Sequence, residues 1–363
     1  MTTHPTPASL LDLEVVGPSG VVAAEAALAN LLGTTHDVLL VQAEAIVALE
    51  ATAKGLGRPG VRALNVVTGP YGALFGRWLA ATGAAVTTLE VPFHRAVTAA
   101  DVAAVLASDR FDLVALVHAE AATGSANPLD EIAPLVVANG ALLVVDAVAS
   151  IGGHPVTPDE WGADVVVIGA QKALAGPAGV SALSISPRAW AAMAGNPGAP
   201  RESILSLLDL RDGWLRSDRA ALLGTPSSLE TTALNQALAR VEQEGLGSVI
   251  SRHRAAAAAS RAGLRQLGLT PWIADDHAAA TVVTTFAGTG SIADLVTAAR
   301  AAGARFVTAA PGVLASTTGR INHTGRAADL DTVLDELRAL GDTLGRPTDP
   351  VTEAARRTWA ATI

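Results

Sequence analysis

An aspartate and a lysine, each at the end of an apolar run, are the residues of this chain best placed to do chemistry. ALLVVD (141–146) ends in Asp146, and ADVVVIG (163–169) leads through Ala170 and Gln171 to Lys172. An acid and a primary amine at the carboxyl ends of parallel strands lie where open α/β sheets place ligands. One chemistry that needs this pair is pyridoxal catalysis. The lysine forms a Schiff base with the aldehyde, and the acid keeps the pyridine nitrogen protonated so that the ring accepts electrons. Strand period two puts Val148 on the same side as Asp146, against one face of such a ring. The only tyrosine, Tyr71 in TGPYG, follows another strand-like run and offers an aromatic surface to the other face. Taken singly, each has a plainer reading: Asp146 as a turn residue, Lys172 as a solvated side chain, Tyr71 as core. Their order and context together favour a site.

Glu44 raises a separate question. In LLVQAEAIVAL (39–49) an apolar strand runs directly into a helix. The free N–H groups at a helix N-terminus form a natural anion cradle. A carboxylate there either caps the helix or serves the ligand.

The elements that must position these residues alternate along the chain. VRALNVVT (61–68), AAVTTLEV (84–91), DLVALVH (112–118), ALLVVD, ADVVVIG and VSALSIS (180–186) read as strands. Most are near-continuous apolar runs, which predicts a largely parallel sheet covered by helices on both faces. ALFGRWLAATG, residues 98–108 and PLDEIAPLVVANG read as helices between them; Thr98 and Asp101 form a capping pattern. After residue 228 two long helices, broken near Gly245–Gly247, lead into a smaller α+β unit. The predicted organisation is an N-terminal arm (1–15), a large ligand-binding domain (16–236), a small C-terminal domain (237–345) and a tail (346–363) with a short helix.

Composition narrows the partners. The formal net charge of −9 disfavours nucleic acid and anionic membrane. With no cysteine, disulfides and thiolate chemistry are excluded, and a reducing, cytoplasmic setting is expected. The N-terminus lacks a signal-peptide pattern, and the apolar stretches are too short for a membrane span. His118, His154 and His323 are too scattered for a metal site, although His118 also stands near the expected ring pocket. Ser150 lacks the GxSxG frame of a nucleophile elbow, and GPYGALFG lacks the GxGxxG order of a dinucleotide site.

The stretch DAVASIGGHPVTPDEWGADVVVIGAQKALAGPAGVSALSIS resembles the class V, fold-type-I aminotransferases. So do GPSG (17–20), HAEAATGSANPLD (118–130), TPSSLETTAL (225–234) and RINHTG (320–325). The resemblance covers most of the chain in the right order. It implies a seven-stranded-type sheet, a Schiff base on Lys172, Asp146 against the pyridine nitrogen, and Tyr71 stacked on the ring. It places Thr123, Gln171 and Thr225 with Glu44 and Val148 around the cofactor, and Arg320 on the substrate carboxylate, which its planar fork suits. It implies small amino and keto acids as substrates, and a homodimer in which the partner supplies the residue matching Thr225.

The departures are informative. Ordinary members hold a 5′-phosphate with a Ser/Gly-rich loop; here the loop is Gln42-Ala43-Glu44-Ala45-Ile46, without a hydroxyl. A phosphate-binding Tyr falls near Leu222, and an expected hydroxyl on Ala121 or Ala122. Two like charges ~4 Å apart repel by about 4 kcal/mol at an effective dielectric near 20. These features look like the branch of the family that handles unphosphorylated pyridoxamine and pyridoxal. A conventional pyridoxal phosphate (PLP) enzyme with an altered phosphate cup and an idle vitamin-binding scaffold are the other readings. The segment between Pro18 and Glu44 is shorter than in relatives, Pro311 stands where close relatives carry a second arginine, and Asn322 replaces a usual Gly.

Overall fold

Seven strands build the main sheet: β1 (Asp37–Val41), β2 (Arg62–Val67), β3 (Ala85–Glu90), β4 (Leu113–Val117), β5 (Leu142–Asp146), β6 (Val165–Gly169) and β7 (Ser181–Ile185). The computed structural model describes residues 14–220, 222, 224–288 and 290–363. Most of the expected N-terminal arm, residues 1–13, lies outside the described residues. The strand order is β1-β7-β6-β5-β4-β2-β3. Strands β2 to β6 run parallel, while β7 is antiparallel to both β6 and β1. Apolar runs predict the burial of these strands but not the direction of β7, because a strand covered on both faces reads alike in either orientation.

Helix α1 (Pro18–Leu32) precedes the first strand, and α2 (Ala45–Leu56), α3 (Pro70–Ala81), α4 (Ala99–Ser108) and α5 (Leu129–Asn139) follow β1, β2, β3 and β4 in turn. The expected capping box at Thr98 and Asp101 is formed. Helix α3 starts earlier than its sequence pattern suggested. Proline at the first helical position has no N–H to lose, so Tyr71 sits in the first turn of a helix and not in a loop. Leu39, Leu64, Leu143 and Ile168 belong to the apolar cluster around this sheet.

Helices α6 (Ser228–Glu244) and α7 (Leu246–Gln266) meet at Gly245, whose φ of 84° suits glycine. They lead to an antiparallel sheet ordered β8-β9-β11-β10, formed by β8 (Thr270–Pro271), β9 (Val283–Ala287), β10 (Val307–Ala309) and β11 (Thr318–Asn322). Helices α8 (Ile292–Ala301), α9 (Leu330–Thr343) and α10 (Asp349–Thr362) complete this half. Helix α10 is a full 14-residue helix where the Pro- and Thr-containing tail suggested a short one. Its Val351 and Ala355 join Phe286, Leu334 and Leu337 in a second apolar cluster, so tertiary burial outweighs weak local propensity. Among the described residues no helix is long and apolar enough to cross a membrane.

Candidate active site

Strands β5 and β6 are neighbours, with Asp146 opposite Val167. The carboxylate of Asp146 and the amine of Lys172 therefore reach one cavity at the carboxyl end of the sheet. Glu44, Tyr71, Val148 and Gln171 line the same cavity. Val148 gets there by a different route from the strand pleat, since β5 ends at Asp146. The chain turns, and the Val148 N–H donates to Asp146 Oδ1 at 3.0 Å. This is an Asx-type turn, and it fixes the carboxylate and the apolar wall together.

Glu44 caps its helix and also bonds across the cavity wall to Gln171. It is the N-cap of α2, and its Oε2 accepts the Ile46 N–H at 2.8 Å. Its Oε1 accepts Gln171 Nε2 at 2.7 Å, from the residue just before Lys172. The Val47 N–H is taken by the Glu44 carbonyl. The first turn of α2 is thus supplied with acceptors from within the chain. Ala45 and Ala121, also on the cavity wall, offer no hydroxyl.

The charges shift one another. Burial pushes the Asp146 carboxyl up to about 6, against the Val148 N–H; nearby Glu44 raises it further and Lys172 lowers it. Burial and then Arg320 pull the Lys172 amine below its ordinary value, against the opposing pull of the acids. Lys172 Nζ makes no hydrogen bond or ion pair among the described residues. A lysine held toward its neutral form, near an acid in a cleft, is a candidate functional group.

Arg320 comes from β11 and reaches the site across the fold. Its Nη1 donates to the Ala121 carbonyl at 3.1 Å and its Nη2 to Thr308 Oγ1 at 3.3 Å. Among the described residues its buried Nε has no hydrogen-bond partner, and neither has Gln171 Oε1; buried polar groups are rarely left so.

Two residues expected around the cofactor lie elsewhere in this chain. Thr123 is buried, with its hydroxyl 2.9 Å from Ser125 Oγ, and does not line the cavity. Thr225 is exposed, on a segment tied to Gln42 by the Ser227 N–H. Leu222 lines a separate cavity. His118 points away from the ring pocket: Val117 and Ala119 face it, while the His118 ring packs edge-on against Trp161. Among the described residues no three His, Cys, Asp or Glu converge as for a metal ion. One neighbour was missed by sequence reasoning. Glu120 is fully buried beside Tyr71, and burial pushes its carboxyl up to about 8. The available signal was an acid set in the apolar run HAEAA.

Comparison with known proteins decides the family. Residues 19–308 match the family described as Aminotransferase class-V. The chain belongs to the class V aminotransferases. This aminotransferase is 36% identical over 307 residues to pyridoxamine–pyruvate transaminase of Mesorhizobium japonicum, covering 84% of this chain and 77% of that one. The crystal structure of pyridoxamine–pyruvate aminotransferase from Mesorhizobium loti superposes with a TM-score of 0.90 at 32% identity, over 99% and 95% of the two chains. Alanine–glyoxylate aminotransferase from Nostoc sp. gives 0.86 at 25% identity, over 94% and 92%. A class V aminotransferase works on amino and keto acids with vitamin B6 chemistry.

Proposed function

We propose that this aminotransferase interconverts pyridoxamine plus a small keto acid, pyruvate being the leading candidate, with pyridoxal plus the amino acid. The ring acts as a substrate without its phosphate. The observation that carries this reading is Glu44, whose carboxylate occupies the α2 N-terminus where a phosphate would seek its N–H donors. The relative named pyridoxamine–pyruvate transaminase supports it.

Bound pyridoxal would supply an aldehyde to carry the amino group and a ring to accept the electron pair released at the substrate Cα. Asp146 would hold the ring nitrogen, Tyr71 and Val148 its two faces, and Glu44 its neutral hydroxymethyl group. Lys172 would hold the ring at its aldehyde carbon and would take and return the substrate Cα proton through Nζ. Arg320 orients the substrate carboxylate with the donor that now lacks a partner. Thr225, exposed here, is the residue this reading assigns to the neighbouring site of a homodimer.

The test is a titration. Protein dialysed free of small molecules is titrated with pyridoxal and with PLP, following the absorbance of the bound aldehyde. The reading expects saturable pyridoxal binding and weak PLP binding. Tight PLP retention with poor pyridoxal binding would sink it in favour of a conventional phosphate-bound enzyme.

A further inference from the structure

Helix α3 has an N-terminus that its own sequence does not cap. Gly69 stands at the N-cap with no side-chain bond to offer, and Pro70 carries no N–H. The cap arrives from another part of the chain. Glu120 Oε2 accepts the Tyr71 N–H at 3.3 Å. Its Oε1 accepts the Ala122 N–H at 3.2 Å. Between Glu120 and Ala122 lies Ala121, whose carbonyl accepts Arg320 Nη1. A Cβ on Gly69 would run into the Glu120 carboxyl, so the glycine makes room for this arrangement.

We propose that Glu120 is a positioning residue for transamination: its buried carboxyl ties the helix turn bearing Tyr71 to the 121–122 turn that holds Arg320. The ring subsite and the carboxylate subsite then keep a fixed separation. Glu120 touches neither ligand. It acts through backbone N–H groups at two places, one behind the stacking ring and one behind the guanidinium anchor. A carboxyl has two oxygens to divide between these places; an amide has only one acceptor. Slack in this tie lets each anchor leave the position in which it binds, and re-ordering it must then be offset on binding, so loosening the tie should weaken binding of both substrates.

The inference rests on the roles given above to Tyr71 and Arg320, and its test separates the two. KM for L-alanine and the Kd of the ring are measured in Glu120→Gln, Gly69→Ala and Arg320→Lys, using whichever of pyridoxal or PLP the titration shows to bind. Glu120→Gln is expected to raise both constants about tenfold, with kcat changed less than threefold. Gly69→Ala, which displaces the intact carboxyl, is expected to reproduce that pattern if Glu120→Gln folds poorly. A loss of kcat in proportion to folded protein, with both constants unchanged in the two variants, would overturn the proposal. A raised KM in Arg320→Lys beside unaltered constants in Glu120→Gln and Gly69→Ala overturns this inference alone. An unaltered KM in Arg320→Lys overturns the assignment of Arg320 and this inference with it.

Discussion

Glu44 spends one oxygen on its helix and the other on Gln171, so its carboxylate is structural as well as part of the cavity wall. Glu44→Gly removes a like charge worth about 4 kcal/mol at ~4 Å, which bounds the gain in PLP affinity at about three decades. The expected result is a marked rise in PLP affinity with little gain for pyridoxal, read from parallel absorbance titrations. Lys172→Ala should lower kcat by at least about 10²–10⁴-fold, since it removes the group that moves the Cα proton. Single-turnover assays with the ring in excess measure that loss. The meeting of Asp146 and Lys172 was legible because each follows an apolar run, and parallel strands deliver their ends to one edge. Glu120 was not legible, because an acid in an apolar run reads alike whether its carboxyl is buried or turned to solvent. The buried hydroxyl of Thr123 was no more readable, since side-chain direction in a turn depends on contacts far away in sequence.

Helix α3 carries Tyr71 to the cavity, and its depth on the sheet is set by small residues. A Cβ on Gly76 would collide with the Asn65 amide of β2, and that amide donates to the Gly72 carbonyl at 2.9 Å. Gly76→Val should lift the helix and cost about 1–3 kcal/mol of stability, the usual range for overpacking. Denaturant melts would report that loss, and ring affinity should weaken with it because Tyr71 moves too. At this scale the sequence spoke clearly for the buried strands and for the Thr98 cap, where local chemistry and final structure agree. It spoke weakly for α10, whose stability comes from the apolar surface that it covers.

The whole molecule buries titratable groups of both kinds, and their shifts predict a stability optimum. Burial depresses His118 and His253 to about 4 and His154 and His323 to about 3. Their folded pKa values lie below the unfolded value of 6.5. The unfolded chain therefore binds more protons as pH falls, and the stability these groups hold at neutral pH is lost between 6.5 and about 3. Glu120 works the other way. Its folded value near 8 exceeds the unfolded 4.5, so its contribution is full below 4.5 and is lost as pH rises toward 8. Asp146 adds the same sense up to about 6. Four histidines outweigh two acids on the acid side, and above pH 6.5 the Glu120 slope remains. Thermal melts of ligand-free protein should peak near neutral pH, and Glu120→Gln should flatten the decline from there to pH 8.

The pairing of β1 with β7 governs how the chain must be made. Asp37 lies opposite Ile185 and Val41 opposite Ser181. A ribosome adds about 5–20 residues per second. The first strand of the sheet is thus made roughly 7–28 seconds before its partner. Through that interval Leu39, Leu40 and Val41 have no neighbour on the sheet, so this edge closes only after the strands between them have been synthesised.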